Sequence, residues 1–201
     1  MTMDPRTFLN QVTTVLNGID TGEMAALADA IERCYREGRL VFIIGNGGSG
    51  SNASHMCEDL GKGTLTDFER QKRLKVLSLT DNTPYILAWG NDEGYDRVFV
   101  EQLKNLASPG DLLIAISGSG DSPNVLRAVE YADRIDMETF GMTGFTGGKL
   151  KQLCKQSLHI QVHDMGITES MHTVVFHYLI VELKERFRRI HEETPPPIPL
   201  L

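Results

Sequence analysis

The chain has 201 residues, 41% hydrophobic and 23% charged, which suits one domain of ordinary to large size with a full core. A formal net charge of −7 lends no electrostatic support to a nucleic-acid or acidic-membrane role, no apolar run approaches bilayer length, and the opening MTMDPRTFLN lacks a signal pattern. Cys34, Cys57 and Cys154 form no CxxC pair, so they read as reduced thiols of a cytoplasmic protein, and any metal must be held by histidines and carboxylates.

Residues 4–37 carry two amphipathic helical patterns. Phe8, Val12, Val15, Leu16 and Ile19 recur at helical spacing, as do Met24, Leu27, Ala28, Ile31 and Tyr35. Asn17-Gly18 and Thr21-Gly22 mark the join and Gly38 the stop. Residues 1–38 are therefore read as an N-terminal helical arm, packed on another subunit or laid over the sheet. From residue 40, apolar runs at 40–44, 74–79, 112–116, 138–142 and 158–162 alternate with helical patterns. These helices are expected near 52–61, 84–89, 95–106, 122–134 and 148–155, with a long one from about 168 to 191. Continuous apolar strands alternating with helices predict an α/β domain over 39–192, its parallel sheet covered on both faces. Ligands of such sheets bind beyond the carboxyl ends of the strands, where the strand order reverses. The Pro-rich tail is set at 193–201, where the run Pro195-Pro196-Pro197-Ile198-Pro199 cannot be helical.

The first strand runs into Gly45-Asn46-Gly47-Gly48-Ser49-Gly50-Ser51 and then a helix with Ala53, Met56, Cys57 and Leu60 on one face and Gly61 as its stop. Strand, glycine-rich turn and helix start make the geometry that cradles an anion, since glycines let backbone N–H groups come close. A second small-residue turn, Ser117-Gly118-Ser119-Gly120-Asp121-Ser122-Pro123-Asn124, follows the third strand, with Asp121 or Ser122 as N-cap. Three hydroxyls at a helix start suit a phosphate; an ordinary capped turn is the plainer alternative. A dinucleotide site fits poorly, because the first turn lacks the GxGxxG spacing and no acid ends the second strand.

His55 and Asp59 stand four residues apart on the first turn's helix, hence on one face. On the last helix Glu169, His172 or Thr173, and His177 form one stripe. Two helices each offering a histidine and a carboxylate can hold a divalent ion such as zinc; alternatively His172 and His177 are core or interface histidines satisfied by hydrogen bonds. The stretch Asn91 to Asp96 is either an acidic loop capping the next helix or a display of Asn91 and Asp92 to a polyol.

Taken together, GNGGS followed six residues later by His55, NDxGYD at 91–96, SGSGDSPNV at 117–125 and ExxHxxxxH at 169–177 resemble the sugar isomerase (SIS) domain family, and within it the phosphoheptose isomerases. The resemblance covers nearly the whole chain. It implies a three-layer, flavodoxin-like, doubly wound five-stranded sheet, a homotetramer with sites shared between subunits, and the interconversion of sedoheptulose 7-phosphate with D-glycero-D-manno-heptose 7-phosphate through an enediol. By position, it places the phosphate on Ser117, Gly118, Ser119 and Ser122, and the sugar on Asn46, Gly47, Gly48, Ser49, Asn91, Asp92 and Glu169. Zinc falls to His55, Asp59, Glu169 and His177, with Asp59 as base and His177 as acid. Five positions depart from the family's usual residues: Asp59 for Glu, Glu169 for Gln, Gly118 for Thr, Gly63 for Arg and Gly166 for an acid. A non-catalytic relative, similar to the adaptor that associates with the bacterial replication initiator, is the alternative; it would keep the phosphate turns without a metal-competent site. A sugar-phosphate sensor is a third reading, without an accompanying DNA-binding segment.

Overall fold

In a computed structural model that describes residues 4–193, the apolar runs form one sheet of five parallel strands in the order β2-β1-β3-β4-β5. In chain order the elements are α1 (Pro5–Asn17), α2 (Thr21–Glu37), β1 (Leu40–Gly45), α3 (Gly47–Glu58), β2 (Lys75–Ser78), α4 (Thr83–Asp92), α5 (Val100–Leu106), β3 (Leu112–Ser117), α6 (Pro123–Arg134), β4 (Glu138–Thr143), α7 (Gly148–Leu153), β5 (Gln156–His159) and α8 (Met165–Glu193). The aliphatic strands are buried on both sides because alternate residues serve opposite layers. Val41 and Ile43, Leu112, Ile114 and Ile116, and Phe140 and Met142 pack with α2, α3 and α8. Phe42 and Ile44, Leu113 and Ala115 pack with α5, α6 and α7. Among the described residues, no helix is long and apolar enough to cross a membrane.

The helices end where their chemistry dictates. Asp20 caps α2 by accepting from the amides of Gly22 and Glu23, and Gly38 closes it at φ +70, a conformation that glycine adopts without strain. The ring of Tyr35 near the end of α2 stacks on Phe187 of α8 at 3.8 Å between centroids. Thus α2 lies in the core, whereas α1 buries no residue and leaves Phe8, Leu9 and Leu16 exposed.

Several boundaries differ from the sequence pattern. The helix after β1 starts at Gly47, not near 52, because its first turn is built from the glycines and serines themselves. A Cβ on Gly45 would stand 2.5 Å from the Ser49 carbonyl oxygen, so the turn closes onto the strand only without one. That helix does not stop at Gly61 but passes into a π-helical turn, Asp59–Gly63. Asn91 and Asp92 are the last residues of α4 rather than a loop after it. The segment 95–106 splits into a 3-10 turn, Tyr95–Arg97, and α5. The fifth strand starts two residues and ends three residues earlier than expected, with Ile160 and Val162 buried beyond its end. The long helix starts at Met165, its first turn held by the Asp164 side chain accepting from the Ile167 amide. The Pro-rich tail lies, from residue 194, outside the described residues.

The order β2-β1-β3 places the reversal between β1 and β3, which pair from Val41↔Leu112 to Gly45↔Ile116. The glycine turn after β1 and the serine turn after β3 therefore face each other across one crevice, the place where open α/β sheets take ligands.

Candidate active site

The crevice holds a cavity of about 210 Å³ whose lining includes Asn46, Gly47, Gly48 and Ser49 from the first turn and Ser117, Gly118, Ser119 and Ser122 from the second. Met165 and Glu169 of α8 complete it. Both α3 and α6 begin here, and neither N-cap side chain, Asn46 or Ser122, bonds to its own helix's amides. Two helix N-termini thus bring partial positive charge to a wall of hydroxyls, an arrangement that favours an anion. Ser117 Oγ lies 3.2 Å from Ser122 Oγ and accepts from the Gly120 amide, which holds the serine turn in shape. Gly120 has φ +73, and a Cβ there would be 2.0 Å from the Gly147 carbonyl oxygen. Where the family resemblance would place a threonine, Gly118 leaves room for Met165, whose Sδ would lie 2.4 Å from an added Cβ.

Beside this cavity α3 and α8 run together as a ladder. The Glu169 carboxylate rests on Gly48, where an added Cβ would fall 2.2 Å from Oε2. One step along, the Thr173 hydroxyl donates to Asn52 Oδ1 at 2.9 Å, and Asn52 Nδ2 donates to the Glu169 carbonyl at 3.0 Å. Further on, His55 Nε2 stands 3.3 Å from Asp59 Oδ2, and His177 Nε2 reaches the same oxygen at 3.9 Å. The two imidazole rings meet edge to face at 5.3 Å. His55, Asp59 and His177 offer ligand atoms all within 4.8 Å of one another, and Asp59 opens the π-helical turn, a distortion that recurs at functional sites. Two imidazoles and a carboxylate on two rigid helices make an N/O donor set that fits a divalent ion.

Glu169 is outside that gathering. It stands eight residues before His177 on the same helix, about 12 Å along the axis at 1.5 Å per residue. Among the described residues, no hydrogen bond or ion pair engages its carboxylate. Asn91 and Asp92 line neither this cavity nor the larger one beside it; they are exposed, and Asn91 Nδ2 donates to Asp92 Oδ1 at 2.8 Å. His172 belongs to the core. It is fully buried, with Nε2 facing the Thr143 carbonyl at 3.3 Å and Nδ1 unpartnered, and burial pushes its imidazole down to about 4. Of the two residues that the stripe left open, it is Thr173 that bridges to α3.

Asn124 and Tyr95 were not apparent as site residues from the pattern. Both hydrogen bond to Asn46, at the centre of the crevice. The signal for Asn124 was present in Ser-Pro-Asn, an amide in the first turn of a helix that begins at the crevice.

A sequence profile described as the SIS domain matches residues 7–144. The chain belongs to the SIS domain family. It is 38% identical over 148 residues to the phosphoheptose isomerase of Aliarcobacter butzleri, covering 74% of this chain and 76% of that one. It is 34% identical over 166 residues to phosphoheptose isomerase 1 of Campylobacter jejuni, covering 83% and 88% respectively. Its fold superposes on a phosphoheptose isomerase structure from Francisella tularensis with a TM-score of 0.82 at 27% identity, over 91% of this chain and all of that one. This SIS domain protein is therefore an isomerase, and the binding-protein alternative gives way to catalysis.

Proposed function

We propose that this isomerase interconverts sedoheptulose 7-phosphate and D-glycero-D-manno-heptose 7-phosphate, the reaction the resemblance to phosphoheptose isomerases implies. The observation that carries the reading is the gathering of His55, Asp59 and His177 across two helices, beside a crevice built from hydroxyls and helix N-termini. The phosphate rests against Ser117, Ser119 and Ser122 at the start of α6, with Gly118 beside them. Asn46, Gly47, Gly48 and Ser49 hold the sugar from the first turn and Glu169 accepts from its hydroxyls; Asn91 and Asp92, outside the lining of both cavities, are given to the sugar by the resemblance alone.

His55, Asp59 and His177 would hold one zinc ion, which when bound supplies Lewis acidity that stabilises the enediolate oxygens. Asp59 Oδ2 already faces both imidazoles, so Oδ1 is the oxygen left for proton transfer. Asp59 takes a proton from C1 of the ketose and returns it to C2. His177 protonates O2 and receives the proton of O1, so that a C2 ketone becomes a C1 aldehyde with no net change in atoms. Conversion in deuterated water tests this path: deuterium at C2 of the aldose, acquired when the proton on Asp59 exchanges with solvent before its return, excludes a direct hydride shift, whereas deuterium-free product together with full turnover by Asp59→Asn would contradict the enediol route.

A homotetramer with shared sites accounts for the surfaces left bare. Val174, Tyr178 and Val181 run along the outer face of α8 next to His177, and Val181 is 74% exposed. On α1, Phe8, Leu9 and Leu16 are exposed as well, while Val12 and Val15 pack against the core. Light scattering at micromolar concentration checks this; a monomer would refute it. Cytoplasmic action is supported by three unpaired cysteine thiols.

A further inference from the structure

We infer that Asn124 and Tyr95 are positioning residues that lock the Asn46 amide as a hydrogen-bond donor to the substrate. The inference rests on the sugar-phosphate reading above, and concerns residues to which that reading gives no role. Asn46 and Asn124 form a reciprocal pair: Asn46 Nδ2 donates to Asn124 Oδ1 at 2.8 Å, and Asn124 Nδ2 donates to Asn46 Oδ1 at 2.9 Å. Tyr95 OH meets the same Asn46 Oδ1 at 3.0 Å.

Taken alone, such a pair could stand in either of two orientations, with both amides turned over together. A backbone group decides between them. The Val125 amide, a donor only, bonds to Asn124 Oδ1 at 3.0 Å, so that oxygen cannot be replaced by an N–H. Asn124 must then donate through Nδ2, Asn46 must receive that bond on Oδ1, and Tyr95 must be the donor at its contact. Turning Asn46 over by itself would set oxygen against oxygen and nitrogen against nitrogen. The start of α6 thereby fixes the polarity of an amide on the opposite turn.

The consequence is a defined recognition group. Two donors fill the lone pairs of Asn46 Oδ1, and one of its two N–H bonds goes to Asn124, so a single N–H remains. Asn46 lines both the 210 Å³ cavity and its neighbour of about 310 Å³, which Tyr95 also lines. What Asn46 offers a ligand there is one donor and no acceptor, selecting a carbonyl, hydroxyl or phosphate oxygen. Asn124 is 2% exposed and so has no role at the ligand itself, whereas Tyr95 is 58% exposed.

The test is a kinetic and binding cycle on sedoheptulose 7-phosphate, with turnover followed by NMR and affinity by calorimetry. Tyr95→Phe removes only the hydroxyl of an exposed ring, so Tm should not move. KM should rise about threefold to tenfold with kcat held within about twofold, the signature of a bond made equally in ground and transition states. Asn124→Ala should raise KM further. Because both residues act through Asn46, the Tyr95→Phe effect should vanish in an Asn46→Ala background. Additive effects in that double variant, or an unchanged KM in Tyr95→Phe, would overturn the inference while leaving the substrate intact. Wild-type protein that neither binds nor converts the sugar phosphate would overturn the sugar-phosphate reading, and this inference with it.

Discussion

His177 Nε2 on α8 and His55 Nε2 on α3 converge on one oxygen, Asp59 Oδ2, at 3.9 and 3.3 Å. Two helical segments more than a hundred residues apart in the chain thus hold an imidazole, a carboxylate and a second imidazole together. If His177 carries the hydroxyl proton, His177→Ala should reduce kcat by a factor of about 10² to 10⁴, the usual worth of a positioned acid–base group. Steady-state kinetics decide the matter, and retained activity would remove His177 from the reaction.

Asp59 invites a paired substitution. Asp59→Asn keeps the shape and loses the base, so turnover should fall at least about a thousandfold. Asp59→Glu restores the residue usual in the family and advances the carboxylate by about one bond, roughly 1.5 Å. It should keep turnover within about tenfold of the wild type. Equal loss in both variants would mean that position, not basicity, is what Asp59 supplies.

Gly48 is where the first turn meets Glu169. An alanine there would put its Cβ 2.2 Å from Glu169 Oε2, and the carboxylate at the end of a flexible side chain must swing aside. The helix itself gains from the exchange, since glycine is the poorer helix former by about 0.5–1 kcal/mol. Gly48→Ala should therefore leave Tm near its wild-type value and raise KM about tenfold or more. A fall in Tm without a change in KM would contradict this placement of Glu169.

Burial lowers the His172 imidazole to about 4 from an ordinary 6.5, so the unfolded chain binds its proton first as pH falls. Between 6.5 and about 4 the unfolded state holds more protons than the folded one, and stability drops. Below that window both states are protonated and this contribution levels off. From pH 7 to pH 5 the loss amounts to about 2 kcal/mol. His172→Leu removes the titrating imidazole, so its denaturant midpoint should vary less with pH than that of the wild type. Identical pH dependence in the two proteins would exclude His172 as the cause.

Much of the fold was legible because aliphatic runs such as Leu40 to Ile44 have one stable use, a strand buried on both faces. The start of α3 was hidden because Gly47, Gly48 and Gly50 carry no periodic signal. What requires glycine there is close approach, of Gly50 to the neighbouring Gly45 and of Gly48 to Glu169, the second a contact distant in sequence. The same limit applied to β5, where Ile160 and Val162 prolong the apolar run after the pairing ends. In the site, the spacing of His55, Asp59 and His177 could be read on each helix, but not which neighbours share a level. Glu169 and His177 lie on one stripe yet about 12 Å apart along it, and only the packing of α8 against α3 puts Glu169 beside Gly48. The Asn46–Asn124 pair was beyond reach, because a reciprocal amide pair leaves no trace in spacing.

A metal-assisted isomerase of a seven-carbon sugar phosphate, as proposed, is checked by conversion of sedoheptulose 7-phosphate by the purified protein, followed by NMR, with chelator and then with zinc restored. The aldose 7-phosphate should form, its formation should cease on chelation, and it should return with zinc. No conversion by protein shown to carry zinc would contradict the assigned substrate, and conversion indifferent to the chelator would contradict the ion assigned to His55, Asp59 and His177.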